Sequence, residues 1–224
     1  MTAVRPGVAA FDFDGTLTQR DTLVPFLRRT CGSRRVAVAA SRAALRGRNR
    51  SRDQLKLALL ASLFTGWPAD RLDALGEAYA GELRAYLRPA MLDRLRWHQT
   101  QHHAVVVVSA SLGAYVRPLA AALAVDAVLA VEMVADGDGV LTGEVVGGAN
   151  TRGPGKVECL RAWLAERFSP GTAVELWAYG DSDGDRELLR VADHPTWVRD
   201  AADYRGVTDS SMGDSNGPDQ RATP

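Results

Sequence analysis

The run Ala104-Val105-Val106-Val107-Val108 narrows most what this chain can fold into. Valine is stiff at χ1 and crowds a helix, but it packs well on a pleated surface. A strand with no polar alternation has both faces buried, which is the condition of a strand inside a parallel sheet covered by helices. The surrounding segments agree. Helical patterns over 90–101 and up to about residue 123 flank the valine run, and an apolar stretch follows over 127–134. Asp136-Gly137-Asp138-Gly139 has the chemistry of a hairpin turn. A helix over 155–168, a strand over 174–179, a short helix over 186–191 and an edge strand over 196–198 complete the pattern. With Val8-Ala9-Ala10-Phe11 as the first strand, strands alternate with helices, which predicts an α/β fold with a Rossmann-like parallel sheet.

Residues 21–87 break that alternation. Apolar residues recur there at helical spacing, as in Leu55, Leu59 and Leu63, then Leu72, Leu75, Tyr79 and Leu83. Breaks fall at Cys31-Gly32-Ser33, at Arg46-Gly47-Arg48-Asn49 and at Gly66-Trp67-Pro68, and Ser51 with Gln54 reads as a capping box. Three or four amphipathic helices are expected, forming a helical cap (21–87) inserted into a core made of 1–20 and 88–208. The Ser, Gly, Asp and Pro content of 209–224 predicts a disordered tail.

Phe11-Asp12-Phe13-Asp14-Gly15-Thr16 follows the first strand directly. Asp12 and Asp14, two residues apart, point the same way from its carboxyl end. Like charges held so close repel each other unless a cation intervenes, and an all-oxygen site of this kind suits Mg²⁺. Ligands of open α/β sheets bind beyond the carboxyl ends of the strands. That edge also receives Ser109, after the valine run, and Asp181 and Asp185, after the 174–179 strand.

Composition adds one clue. Lysine and arginine total 27, matched by 27 acidic residues, yet only Lys56 and Lys156 are lysines. A compact ammonium differs from a planar guanidinium wherever a single point charge must be aimed. Lys156 lies at the start of a helix, where a cation is disfavoured by the macrodipole, so it is wanted for something else. The neutral total predicts neither a nucleic-acid partner nor a membrane partner. Cys31 and Cys159 fit no disulfide framework or zinc motif, and with no apolar leader the chain is expected to be cytoplasmic.

Together the four motifs (Asp12 to Thr16, Ser109, Lys156 and Gly180 to Asp185) resemble the haloacid dehalogenase superfamily. The match is to its phosphoserine-phosphatase-like branch, which carries a helical cap between the first two motifs. The resemblance spans about residues 8–200 and implies a Mg²⁺-dependent phosphomonoesterase acting on a small phosphorylated metabolite. It implies Asp12 as nucleophile and Asp14 as the acid and base, with Asp12, Asp181 and the Asp14 carbonyl binding the metal and Asp185 either acting on it through water or orienting Lys156. Ser109, Ala110 and Lys156 would bind the phosphoryl group. In the cap, Asp21 occupies the position nine residues after the nucleophile where phosphoserine phosphatases carry glutamate; it is read either as a substrate contact or as a helix cap. Lys56 would meet a second anionic group of the substrate. A phosphotransferase or phosphomutase using the same phosphoenzyme, and a non-catalytic binding protein of this fold, are the competing readings. Asp183 reads as a solvated loop residue, the Arg28-Arg29 and Arg34-Arg35 pairs as solvated helix termini, and His98, His102 and His103 as a polar helix end. The tryptophans read as packing residues.

Overall fold

A computed structural model describes residues 5–46, 51–146 and 152–198. Five strands form one parallel sheet: β1 (Gly7–Phe11), β2 (Ala104–Leu112), β3 (Ala127–Val131), β6 (Glu175–Gly180) and β7 (His194–Trp197), in the order β3-β2-β1-β6-β7. β1 is central and hydrogen-bonds to β2 on one side and β6 on the other, so the strand order reverses beside it. The apolar stretch expected as one strand divides at Glu132. Its second part, β4 (Met133–Ala135), turns away and pairs antiparallel with β5 (Leu141–Val145) through the expected hairpin turn.

Strand periodicity sorts the core into two layers. Ala9, Phe11, Val105, Val107 and Tyr179 face one side, with Met91 and Leu95 of α5 (Pro89–Thr100). Val8, Ala10, Val106, Val108 and Ala178 face the other, with Leu160 of α7 (Pro154–Arg167) and Leu188 of α8 (Arg186–Val191). The valine run is buried on both faces, as its sequence requires.

Among the described residues four α-helices lie between β1 and α5: α1 (Leu23–Cys31), α2 (Ser33–Arg46), α3 (Arg52–Phe64) and α4 (Ala69–Leu83). Two of the expected breaks fall at the α1/α2 and α3/α4 junctions, while 47–50 lies outside the described residues. The Ser51–Gln54 capping box is formed in both directions. Two devices tie this unit to the sheet. Gly76 of α4 packs on α6 (Gly113–Ala122) so closely that a Cβ would lie 2.2 Å from the Ala114 carbonyl oxygen. The loop before α4 also pairs with the hairpin, through Leu141 N–H to Trp67 O at 2.8 Å and Gly66 N–H to Leu141 O at 2.9 Å. The tail at 209–224 lies outside the described residues, among which no helix is long and apolar enough to cross a membrane.

His98 corrects a sequence expectation. It does not sit on an exposed helix end but is fully buried at the last turn of α5. Its Nε2 is 2.8 Å from the Tyr179 hydroxyl and its Nδ1 is 2.8 Å from His103 Nδ1. Burial pushes its pKa down to about 3. His103 stacks on Trp177, and Trp177 stacks in turn on His194. Aromatic packing and two specific hydrogen bonds repay the desolvation of the imidazole.

Candidate active site

Because the strands are parallel, the carboxyl ends of β1, β2 and β6 share one edge, and the expected motifs meet there. Asp12 follows β1 and donates its backbone N–H to Tyr179 O at 2.9 Å, which holds its Cα in line with the sheet. The chain then turns sharply at Gly15, whose φ is +80°. A Cβ there would lie 2.1 Å from Asp181 Oδ2. Glycine is thus needed both for the left-handed backbone and for the approach of Asp181.

Lys156, in the first turn of α7, is 2% exposed. Its Nζ donates to Asp12 Oδ1 and, at 2.6 Å, to Asp185 Oδ1. The second oxygen of Asp185 accepts from the Ser182 N–H and hydroxyl at 3.0 and 2.8 Å. Thr16 donates to Asp181 Oδ1 at 3.3 Å. Burial works against the Lys156 charge, but Asp12 and Asp185 outweigh it and hold its pKa above the ordinary lysine value.

One ammonium does not neutralise this cluster. Oxygens of Asp12, Asp181 and Asp185 lie within 4.8 Å of one another. Burial, then the Asp185 and Asp14 charges, push the Asp12 carboxyl up to about 6 against the pull of Lys156. Burial and the charges of Asp12 and Asp185 do the same to Asp181, also to about 6. Three converging carboxylate donors with an unmet demand for positive charge fit a hard divalent cation such as Mg²⁺.

Asp14 stands apart from that cluster. Its Oδ1 accepts from the Thr22 N–H at 2.8 Å and the Thr22 hydroxyl at 2.6 Å, and its Oδ2 accepts from the Ser111 hydroxyl. Burial raises its pKa although these hydrogen bonds oppose the shift. Thr22 is itself anchored: its carbonyl accepts from Tyr79 and its hydroxyl meets that of Tyr115, both at 3.1 Å.

These groups line a cavity of about 580 Å³. Asp12, Asp14, Asp21, Lys56, Ala110, Lys156, Asp181 and Asp185 border it, as the sequence suggests. Ser109 does not; it is buried, and its hydroxyl accepts from the Ser111 N–H at 2.9 Å. Lys56 Nζ donates to the Ala110 carbonyl, and burial lowers its pKa to about 8. Asp21 accepts from Val24 N–H at 3.2 Å, so it caps α1 while bordering the cavity. Asp183 is exposed and pairs with Arg186.

Ser111 and Arg88, which border the cavity, and Thr22, buried behind Asp14, are among the residues that escape a reading of the sequence. Ser111 has a signal, since it shares a face of β2 with Ser109 by period two. Thr22 has only its place at the start of a helix. Arg88 has none: its guanidinium donates to Gly15 O at 3.0 Å, and its buried Nε has no hydrogen-bond partner among the described residues.

A parallel sheet with carboxylates gathered after β1 and β6, and helices inserted after β1, is the architecture of a known class of proteins. Residues 9–190 match the haloacid dehalogenase-like hydrolase family, and the chain belongs to it. It is 33% identical over 195 residues to Protein CicA of Caulobacter vibrioides strain NA1000, covering 84% of each. Among solved structures it is similar to a protein of unknown function from Bordetella pertussis Tohama I, at 25% identity and a TM-score of 0.66, covering 84% of this chain and 87% of that one. It also shares its fold with a phosphoserine phosphatase solved as a phospho-aspartyl intermediate analogue, at 20% identity and a TM-score of 0.57 over 84% of each chain.

Proposed function

We propose that the protein is a Mg²⁺-dependent phosphomonoesterase that hydrolyses a small phosphorylated metabolite through an aspartyl-phosphate on Asp12. The observation carrying this reading is the placement of Asp12 at the end of β1, hydrogen-bonded to buried Lys156 and gathered with Asp181 and Asp185. An Asp12 oxygen attacks phosphorus and the bond from phosphorus to the leaving oxygen breaks. Asp14 gives its proton to that oxygen; burial shifts its pKa upward, in the direction a general acid needs. Water then attacks the phosphorus of the acyl phosphate, Asp14 takes the water proton, and Asp12 returns to carboxylate as phosphate leaves. Asp12, Asp181, Asp185 and the Asp14 carbonyl would hold the cation, which supplies charge neutralisation for the transferring group.

Lys156 serves twice in this scheme, aiming Asp12 and binding a phosphoryl oxygen. The backbone at Ala110 is assigned to a remaining oxygen, while Ser109, buried behind the cavity wall, accepts from Ser111 N–H and so positions Ser111, which holds Asp14. The α1–α4 unit acts as the cap, and Asp21 and Lys56 face the leaving group from it. A cavity bordered by so many charged groups favours a small polar leaving group over an apolar one.

The test is phosphate release from a panel of small phosphomonoesters, with and without Mg²⁺, for the wild type and Asp12→Asn. The reading requires Mg²⁺-dependent turnover that drops by at least about 10⁴-fold in the variant. Turnover that survives in Asp12→Asn would overturn the nucleophile assignment.

A further inference from the structure

Charge is segregated along this neutral chain. Residues 22–52 contain nine arginines and no aspartate or glutamate, so the remainder is net acidic. Within that segment α2 is amphipathic. Val36, Ala39 and Ala43 are buried, while Arg34, Arg35, Val38, Arg42 and Leu45 are exposed. At 3.6 residues per turn those five fall within an arc of roughly 100°. Leu45 is 82% exposed and Val38 48%, large values for apolar side chains placed among arginines.

Little in the molecule neutralises this stripe. Among the described residues no carboxylate forms an ion pair with Arg34, Arg35 or Arg42. Arg35 is instead fixed in place, donating to Leu63 O at 3.1 Å. A groove of about 450 Å³ runs between α2 and α3, bordered by Arg34, Arg35, Val38, Ala39, Arg42 and Ser62. It is separate from the catalytic cavity: Ser62 lies six residues along α3 from Lys56, about 9 Å at 1.5 Å per residue.

We propose that this face of α2 docks on an anionic phospholipid bilayer, with headgroup phosphates entering the α2/α3 groove and Val38 and Leu45 resting in the interface. Basic side chains flanking exposed aliphatic ones are the composition of a helix lying in the plane of a lipid surface. A nucleic acid would match the arginines but would leave Leu45 and Val38 without a role, and the stripe offers no aromatic ring on which a base could stack. The binding is peripheral and weakens as salt screens it, since the Debye length is only about 10 Å at 0.1 M. It is compatible with a neutral chain because the field is local.

The experiment is co-sedimentation of the full chain with phosphatidylglycerol/phosphatidylcholine vesicles and with phosphatidylcholine vesicles alone, for the wild type, Arg34→Gln/Arg42→Gln and Leu45→Ser. Thermal midpoints check the folds; among the described residues neither arginine forms a hydrogen bond or ion pair, so the double variant should melt with the wild type. Binding is expected on the anionic vesicles only. The double variant should lose on the order of 25-fold in partitioning, about fivefold per arginine, and Leu45→Ser a smaller factor. Absence of binding, equal binding to neutral vesicles, or an unaffected double variant overturns the proposal. So does a single-stranded RNA that binds the wild type and Leu45→Ser alike while Leu45→Ser leaves vesicle binding unchanged, which would make the face a general polyanion site. Self-association abolished by the arginine substitutions, without vesicle binding, would assign the face to a second copy of the chain.

Discussion

Thr22 grips Asp14 twice through one carboxylate oxygen, with its backbone N–H at 2.8 Å and its hydroxyl at 2.6 Å. The residue that opens the inserted helices therefore aligns the group assigned as acid and base. Thr22→Val keeps the backbone bond and the shape but deletes the hydroxyl. A hydrogen bond to a charged group is worth about 1.5–3 kcal/mol, so kcat should fall by at least about tenfold with KM little changed. Thr22→Ser should restore most of the rate. Steady-state kinetics on the three proteins checks this.

Lys156 stands between two buried carboxylates, and its removal leaves them facing each other without compensation. Lys156→Met should lower stability by about 3–5 kcal/mol in metal-free buffer, measured by urea unfolding. Activity should fall by at least about 10²–10³-fold, the loss typical of one preorganised charge donor. Arginine should not rescue either quantity, because its planar fork does not fit a buried pocket shaped for one ammonium.

Gly15→Ala adds a Cβ where Asp181 Oδ2 sits and imposes a side chain on a backbone with φ of +80°. Asp181 has to move, so the concentration of Mg²⁺ that gives half-maximal activity should rise by an order of magnitude or more. A metal titration of activity reads this directly.

His98 predicts a pH dependence of stability independent of catalysis. Its pKa is about 3 in the folded chain and near the ordinary 6.5 when unfolded. Below pH 6.5 the unfolded chain takes up a proton that the folded one refuses, so stability is full above 6.5 and falls as the pH drops toward 3. The slope from this one residue approaches about 1.4 kcal/mol per pH unit. Urea unfolding at pH 7 and pH 5 should show a smaller loss for His98→Gln than for the wild type.

The sheet and the carboxylates were legible because both depend on short-range rules. Four valines in a row specify a strand buried on two faces, and parallel strands bring Asp12, Ser109 and Asp181 to one edge wherever the loops run. Lys156 was legible from its scarcity and its unfavourable place at a helix start. Thr22, Ser111 and Arg88 act through contacts with residues 8, 97 and 73 positions away, and a local pattern does not encode such distances. His98 was misread because a polar residue near a helix end normally faces water, whereas here Tyr179 and His103 satisfy both of its nitrogens. The whole-chain charge of zero concealed the arginine stripe, because a sum carries no position.

The covalent bond between Asp12 and phosphorus can be trapped chemically. The most direct measurement quenches the enzyme during turnover of its best phosphomonoester, reduces the acyl phosphate with borohydride, and maps the product by peptide mass spectrometry. Asp12 should be converted to homoserine in the wild type, and no residue should be converted in Asp12→Asn. Homoserine at any other aspartate, or an unmodified Asp12 beside undiminished turnover in Asp12→Asn, would contradict it.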